Sequence, residues 1–295
     1  SFFEGNKTTA GFDFQRFGGK AWNRFPNEED NVNLADVHLS NVAGYLNLQQ
    51  SVLDDRLTMN AGVRLDHHET NGSEWIPQLG LSFTPTATTS IKAIASKGFR
   101  NPTIREMYMF PPQNAELKPE RLMNYEISLL QSLPEARVSF GLNLFYIKGD
   151  NMIRQPQPNV GKWENTGKVE NKGFELSANY LATDHLRFSA NYSLLDMTYK
   201  IAGAPEHKLY VGGDHSMGRW NLSTGLQYLG VLYTKVNPEP EKENVLLWNA
   251  RINYKALNWL NLFLRGENLL NQDYEINAGY PMPGATVFGG LRINI

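Results

Sequence analysis

The reactive and metal-binding residue types in this sequence do not form a catalytic set. The chain has no cysteine, so it offers neither a thiolate nucleophile nor a disulfide. It also lacks the G-x-S-x-G, H-E-x-x-H and phosphate-cradling glycine motifs of hydrolases, zinc enzymes and nucleotide-binding proteins. The sequence therefore predicts a protein that is not an enzyme and that needs no cofactor.

Two short groups could bind a metal ion, and each has a simpler interpretation. His67 and His68 follow Asp66, but adjacent residues of a strand point to opposite faces, so the two imidazoles chelate one ion only if the strand has already ended. The favoured interpretation is that His67 and His68 belong to the polar end of a strand and do not bind a metal ion. Met107 and Met109 would share a face in an extended segment, and thioethers suit copper. Packing of these loop side chains onto a neighbour is favoured, so no metal site is predicted.

A proline-rich stretch, residues 98–120, is the segment around which the remaining pattern is arranged. It contains four of the fifteen prolines, and proline lacks an N–H and fixes φ, which excludes a long helix and a paired strand. Its two arginines, three aromatic residues and two methionines argue against disorder. Because ordered loops of this length in compact domains are usually functional, we expect a functional loop here.

Composition limits the class of protein. The net charge of -2 gives no basic field for nucleic acid, so a nucleic-acid partner is not expected. No apolar run approaches the roughly 18 residues that a membrane helix needs. A transmembrane barrel is not excluded, because alternation hides its lipid-facing half from averaged hydropathy. The first residues do not resemble an export signal, so we expect any such signal to have been removed or to lie upstream.

Apolar and polar residues alternate in segments on both sides of the loop. Within residues 56–69, Leu57, Met59 and Leu65 share an apolar face, whereas Asn60 and Arg64 share a polar one. The alternation predicts an all-β chain with about fourteen strands. They span about 8–17, 37–53, 56–69, 74–84, 88–97, 121–132, 136–148, 167–181, 185–199, 206–217, 220–233, 244–256, 259–266 and 285–295.

The connections between these strands are of two kinds. Those after the even-numbered strands are tight, and those after the odd-numbered strands are mostly long; residues 18–36 are expected to form the first long one. Transmembrane barrels have short periplasmic turns and longer extracellular loops, so the pattern assigns each connection to a side and both ends to the periplasm.

Aromatic residues agree with that assignment. Trp220 and Tyr228 share a face and are separated by eight steps of about 3.3 Å, or roughly 20 Å across a membrane after a tilt of about 40°. This approaches the apolar band of about 25 Å between two aromatic girdles. The alternative is that aromatics are common in all β proteins. The predicted periplasmic girdle is Trp220, Tyr180, Tyr254 and Trp259, and the predicted outer girdle is Tyr146, Tyr228 and Trp248.

Four motifs resemble those of TonB-dependent outer-membrane receptors. They are F-R-N-P at 99–102 followed by N-A-E-L-K-P-E at 114–120, N-T-G at 165–167 running to G-F-E at 173–175, E-N-L-L-N-Q-D-Y at 267–274, and Y-P-M-P-G at 280–284. The chain departs from the family form at Asn101, which is usually alanine, and at residues 115–116. Four motifs in family order make the resemblance specific.

The resemblance implies a transmembrane antiparallel β-barrel of about 22 strands that holds a plug domain. Residues 1–295 then form the C-terminal portion of the barrel, with the plug and the TonB-coupling segment outside this sequence. An open sheet of about fourteen strands leaves two bare edges, which lipid does not tolerate. The favoured interpretation is a part of a longer chain; the alternative is a smaller, self-closed barrel.

The resemblance also implies a function at the bacterial outer membrane. Such a receptor binds a scarce metal chelate, a ferric siderophore, haem or cobalamin, and imports it with energy from TonB. The predicted chelate contacts are Arg100, Arg105, Tyr108 and Trp163, because guanidinium groups suit an anionic chelate and aromatic rings suit its planar or apolar body. Residues 98–120 contain no histidine, which disfavours haem. Expected partners are TonB, outer-membrane lipid, the chelate and a surface lipoprotein.

Eight charged residues fall on the polar faces of the predicted strands: Arg64, Glu126, Glu175, Arg187, Arg251, Arg265, Glu267 and Arg292. Charges facing lipid are costly, so these residues are expected to line a lumen. They could form a solvated pore wall, or, as the resemblance implies, contact the plug.

Two other classes of protein remain open at this point. A passive 14-stranded outer-membrane pore for a small solute would conduct without any further segment. A soluble β-sandwich or surface adhesin would bury the apolar face of every strand against protein, and the regular connections and paired girdles disfavour it.

Overall fold

The structure is a computed structural model that describes residues 2–27, 31–109, 112–155 and 162–294. Alternating side chains favour extended backbone here, and in the described residues fourteen strands form one sheet in chain order. Its strands are β1 (Asn6–Asn23), β2 (Val32–Val52), β3 (Leu57–His68), β4 (Gly72–Thr86), β5 (Thr89–Arg100), β6 (Glu120–Leu133), β7 (Val138–Arg154), β8 (Glu164–Thr183), β9 (Leu186–Met197), β10 (Pro205–Met217), β11 (Trp220–Lys235), β12 (Glu241–Leu257), β13 (Leu260–Glu267) and β16 (Thr286–Ile293). A two-stranded ribbon, β14 (Glu275–Asn277) and β15 (Tyr280–Pro281), lies in the last connection.

The predicted all-β class is confirmed, and each predicted strand has a counterpart in the sheet. The prediction of a long connection at 18–36 is wrong, because β1 continues to Asn23 and β2 begins at Val32. Gly18 explains the continuation: its φ is +147°, and a Cβ there would lie 2.1 Å from the carbonyl oxygen of Val37. Residues 28–30 of this connection and Ile295 of the last predicted strand lie outside the described residues.

The two kinds of connection are also present. Two to four residues link each even-numbered strand to the next one through β13, and in the turn after β2, Asp54 and Asp55 adopt φ of 54° and 63°, which aspartate tolerates better than most residues. The connections after β5 and β13 are the long ones, and residues 105–109 of the first form a π-helical turn. In the described part of the chain, no helix has the length and apolar character needed to cross a bilayer.

The strand register separates the sheet into an apolar face and a polar face. In β3, Leu65 pairs with Gly44 and Trp75, and Arg64 pairs with Tyr45 and Ile76. Because paired residues project to the same side, the apolar side chains collect on one face, where they are exposed to solvent. Members of this exposed apolar face include Phe12, Leu46, Leu48, Val63, Leu65, Trp75, Leu79, Leu222, Leu226, Leu262, Leu264 and Leu291. An exposed apolar surface of this extent requires lipid or protein to cover it.

The chain divides into two compact units. Unit 1 comprises Ser1–Pro85, Ile91–Ile127 and Tyr146–Glu170, and unit 2 comprises Thr86–Ser90, Ser128–Phe145 and Asn171–Ile295. Unit 1 contains the proline-rich loop and one buried apolar cluster. Unit 2 contains the last connection, which packs Tyr274 onto a smaller cluster of Leu229, Leu232 and Val245.

Candidate functional site: the proline-rich loop

The first half of the loop begins with a capping box. The Thr103 hydroxyl accepts a hydrogen bond from the Glu106 N–H at 3.2 Å, and the Glu106 carboxylate accepts from the Thr103 N–H at 2.7 Å. This reciprocal pair satisfies two donors that a helix start leaves open. Pro102, directly before it, is buried. The result is the π-helical turn Arg105–Met109.

Arg100 joins the two ends of the loop. Its Nη1 and Nη2 donate to the two oxygens of Glu106 at 2.9 and 3.1 Å, and its Nε donates to Glu120 at 2.7 Å. The other Glu120 oxygen accepts from the backbone N–H of Ile153 at 2.6 Å. Bidentate guanidinium–carboxylate pairs are strong and directional, so this cluster fixes the loop over β7.

The protonation of Glu106 is coupled to these contacts. Burial alone would raise the pKa of its carboxyl, but hydrogen bonds from Arg100 and Thr103 outweigh burial, so the pKa lies below its ordinary value. The carboxylate is therefore held in its charged form at neutral pH.

An apolar cluster lies beneath the π-helical turn. Met107 is fully buried and packs with Leu39, Leu117 and Ile153. Tyr108 and Trp163 are half-buried and pack against the same group, as do Phe17, Val37 and Ile104. The favoured interpretation of Met107 as a packed loop side chain is confirmed, and because residues 105–109 are helical, Met107 and Met109 do not present an extended thioether face.

The second half of the loop is bonded to the β7–β8 connection. Asn114 donates through Nδ2 to the Trp163 carbonyl at 2.7 Å. Asn165 exchanges two hydrogen bonds with the backbone of Lys118, at 2.8 and 2.9 Å, and donates to the Asn151 carbonyl at 2.8 Å. Two motifs that carried the family resemblance thus bind each other, which gives them a structural role.

A second buried charge group lies at the loop-side ends of β4, β5 and β6. Glu74 is 5% exposed and accepts from Lys97 at 2.9 Å and from Arg121 Nε at 2.7 Å; Arg121 Nη2 also contacts it. Two cations thus surround one buried carboxylate and satisfy both of its oxygens.

The four predicted chelate contacts differ in their surroundings. Arg105 is exposed on the π-helical turn, Tyr108 and Trp163 each pack against the apolar cluster, and Arg100 is held by Glu106 and Glu120. Their contact with a chelate stays a prediction.

Sequence reasoning missed the carboxylates that organise this site. Glu106 could have been found from the T-x-x-E spacing of a capping box. Glu74 carries no local signal, and Glu120 is marked only as the end of the motif at 114–120, because their cationic partners come from other strands.

The paired histidines are arranged as the strand pattern predicts. His67 and His68 both lie within β3; His67 is exposed and bonds Ser73 at 2.9 Å, while His68 is buried and its Nδ1 accepts from the Thr70 and Asn71 N–H groups. The two rings lie on opposite faces.

The charged residues predicted for a lumen are distributed over both units. In unit 1, Arg64 pairs with Asp13 and with Asp66, the latter at 3.1 Å. In unit 2, the register places Arg187, Asp214, Ser223, Arg251, Arg265 and Phe288 in one row across six strands. The registers of β8, β13 and β16 place Glu175, Glu267 and Arg292 on the same polar face of unit 2. In unit 1, the Glu126 carboxylate on β6 accepts a hydrogen bond from Asn124 at 2.6 Å. Contact with a lumen or a plug stays a prediction.

The motif at 267–274 forms a bonded turn after β13. Asn268 is buried, adopts φ of 48° and donates through Nδ2 to the carbonyls of Gln272 and Pro283. The Gln272 N–H donates a hydrogen bond to Asn268 Oδ1 at 2.9 Å. The asparagine thus fixes the path into the ribbon.

Comparison with known proteins gives consistent matches. A family model described as TonB dependent receptor-like, beta-barrel, matches residues 2–269. The vitamin B12 transporter BtuB of Photobacterium profundum is 25% identical over 276 residues, which cover 89% of this chain and 44% of the transporter. The siderophore receptor PirA from Acinetobacter baumannii superposes with a TM-score of 0.76 at 16% identity, covering 98% of this chain and 52% of PirA.

A variant of the ferric enterobactin receptor PfeA from Pseudomonas aeruginosa, in complex with enterobactin, superposes with a TM-score of 0.71 at 18% identity. The match covers 88% of this chain and 46% of PfeA. At these identities the structural matches show the fold. The chain spans about half the length of the proteins it matches.

Proposed function

The chain belongs to the TonB-dependent receptor β-barrel family, and from this premise we propose that it forms the C-terminal part of an outer-membrane receptor. That receptor binds a metal chelate at the cell surface and imports it with energy delivered through TonB. The observation that carries the proposal is the family match over a fourteen-stranded sheet that has one exposed apolar face and one charged face. Lipid covers the first face, and the second lines a lumen.

The edges of the sheet support a longer barrel. Within the described residues, β1 and β16 are the edge strands. Lipid cannot satisfy the backbone N–H and C=O groups of an open edge, so each edge must pair, either with the other edge or with further strands. We infer that these strands belong to the same receptor and that its lumen, at about 22 strands, holds a plug.

The ligand proposed is an anionic or planar metal chelate. Arg105 is exposed on the π-helical turn, and Tyr108 and Trp163 are half-buried against the apolar cluster beneath that turn. A guanidinium binds anionic donor groups and aromatic rings bind flat or apolar ones, so the cluster suits a siderophore or a corrin. A vitamin B12 transporter and siderophore receptors among the similar proteins support the same ligand classes. We assign no catalytic residue, because binding and transport need none.

The test is an uptake assay in cells. A strain lacking the gene is complemented with the full-length receptor and supplied separately with ⁵⁵Fe-loaded siderophores, ⁵⁷Co-cobalamin and haem, with and without functional TonB. We expect TonB-dependent uptake of a siderophore or of cobalamin. Uptake of none of them, or uptake that persists without TonB, would overturn the proposal.

Variants then assign the site. Combined Arg105→Ala and Tyr108→Ala changes should weaken chelate binding to cells at least about tenfold, because a charged and an aromatic contact are both lost. Arg219→Ala is the matched control, because Arg219 is an exposed arginine in a tight turn at the opposite ends of the strands. Equal affinities for the double variant and the control would exclude the loop as the binding surface.

A further inference from the structure

Two arginines face each other on the polar face of unit 2. Arg251 of β12 and Arg265 of β13 are Cα partners in the sheet, so their side chains leave the same face with Cβ atoms roughly 5 Å apart. Like charges at directly opposed positions destabilise a sheet. A negative charge near the pair would offset this repulsion.

Arg251 is oriented by neutral groups. Its Nε donates to the Asn253 side chain at 2.9 Å, and its guanidinium carbon lies 5.2 Å from the centre of the Phe263 ring. Neither contact supplies a negative charge, and one hydrogen bond leaves most of the five guanidinium donors available.

Arg265 is only partly neutralised. Its Nη2 forms an ion pair with Glu267 at 3.1 Å, and its guanidinium lies 4.8 Å from the Phe288 ring. Among the described residues, Glu267 is the only acid that forms an ion pair with either arginine. The three side chains together carry a net charge of about +1, and Lys255 and Arg292 add two cations to the same face nearer the tight turn.

The space between the arginines is concave. A cleft of about 230 Å³ is lined by both guanidinium-bearing residues together with Glu267, Tyr210 and Ser223. Each guanidinium lies against a phenylalanine ring, and a guanidinium is best matched by a planar anion that accepts two parallel hydrogen bonds. A carboxylate meets that requirement.

We propose that a carboxylate side chain of the plug binds between Arg251 and Arg265. The inference rests on the proposed function, because that function places the plug against this face. Arg64 of unit 1 shows the contrast: it lies on the same kind of polar face but already has Asp13 and Asp66 as partners. A further carboxylate would therefore find a less neutralised guanidinium pair at Arg251 and Arg265 than at Arg64.

Carbodiimide cross-linking tests the proposal in the full-length receptor extracted from outer membranes. Arg251→Lys and Arg265→Lys are made separately, each with Glu267→Gln to remove the nearby acid. The carbodiimide activates a carboxylate within contact distance, the lysine amine attacks it, and an amide forms with net loss of water. Peptide mass spectrometry then identifies both partners.

Two controls report that the sheet is intact and the reagent active. Arg64→Lys should cross-link to Asp13 or Asp66, and the native Lys97–Glu74 pair, at 2.9 Å, should cross-link in every sample.

We expect the lysine at 251 or 265 to be joined to an aspartate or glutamate outside residues 1–295. With both controls positive, an unmodified lysine at both positions, or links confined to residues 1–295, would overturn the proposal. The uptake assay measures transport separately. A receptor that transports its ligand but does not form this cross-link would contradict the inference and not the proposed function.

Discussion

Arg100 and its two glutamates hold the proline-rich loop in place. The cluster bridges β5, the π-helical turn and β6 through three hydrogen bonds. A lysine cannot form the two parallel hydrogen bonds that the planar Arg100 guanidinium donates to Glu106, so the arginine is specifically required. The loop is thus fixed without a ligand, which would lower the entropy lost on binding the proposed chelate.

The charge on Glu106 makes loop order depend on pH. Its pKa lies below the ordinary 4.5, so the carboxylate stabilises the loop above that value and the stabilisation is lost as pH falls through the folded-state pKa. We expect hydrogen-exchange protection of the Met107 and Asn114 amides to exceed that of a Glu106→Gln variant at pH 7. The excess should decline as the pH is lowered below 4.5; an excess that shows no decline in acid would contradict the expectation.

Met107 anchors the same loop by packing. Replacing it with alanine removes a fully buried side chain, which typically costs about 2–5 kcal/mol. The loss should increase local opening of residues 103–117, seen as exchange faster by about thirtyfold or more, while the strands stay protected. Met109→Ala is the control, because Met109 is half-buried and outside the cluster. Equal effects of the two variants would show that the cluster does not hold the loop.

At the scale of one residue, the sequence located the proline-rich loop but not all of the side-chain contacts that hold it. Arg100 and Asn114 belong to motifs of the family resemblance, and the structure shows that Arg100 binds within the loop and that Asn114 binds the β7–β8 connection. Glu74 and Glu120 were missed because their partners are distant in sequence, and only the sheet register brings them together.

The strands were predictable because their pattern has a period of two. One buried or lipid-covered face demands apolar residues at alternate positions, and a register slip would expose all of them. Strand ends were harder to place. In β1 and β2 polar residues and Gly18 continue the pairing beyond the apolar band, so no change of composition marks where the strands stop.

The two faces of a strand should respond oppositely to a charge. Leu79 of β4 is 61% exposed on the apolar face, and an arginine there should cost about 2–4 kcal/mol if that face meets the bilayer near its midplane. Gln78→Arg adds the same side chain to the polar face, opposite Gly62, and should cost little. Heat-modifiable electrophoretic migration of each full-length variant measures the folded fraction in the outer membrane. Similar folded fractions for the two variants would argue against a lipid-facing surface.

At the scale of the whole molecule, alternation and motifs predicted the family and the all-β sheet, and the family match confirms both. They could not identify the chelate, because ligand contacts depend on loop geometry that obeys no sequence period. The charged face of unit 2 adds a constraint that the sequence did not show: Arg251 and Arg265 are adjacent only in the folded sheet.

The proposed receptor is about twice as long as this chain. The most direct test of this proposal is the intact mass of the native polypeptide extracted with detergent from outer membranes. We predict a mass of about twice the 33.4 kDa of these 295 residues, since the similar proteins are about twice as long. A native mass near 33.4 kDa would mean a self-closed barrel without a plug, and the energy-coupled receptor would give way to a passive pore.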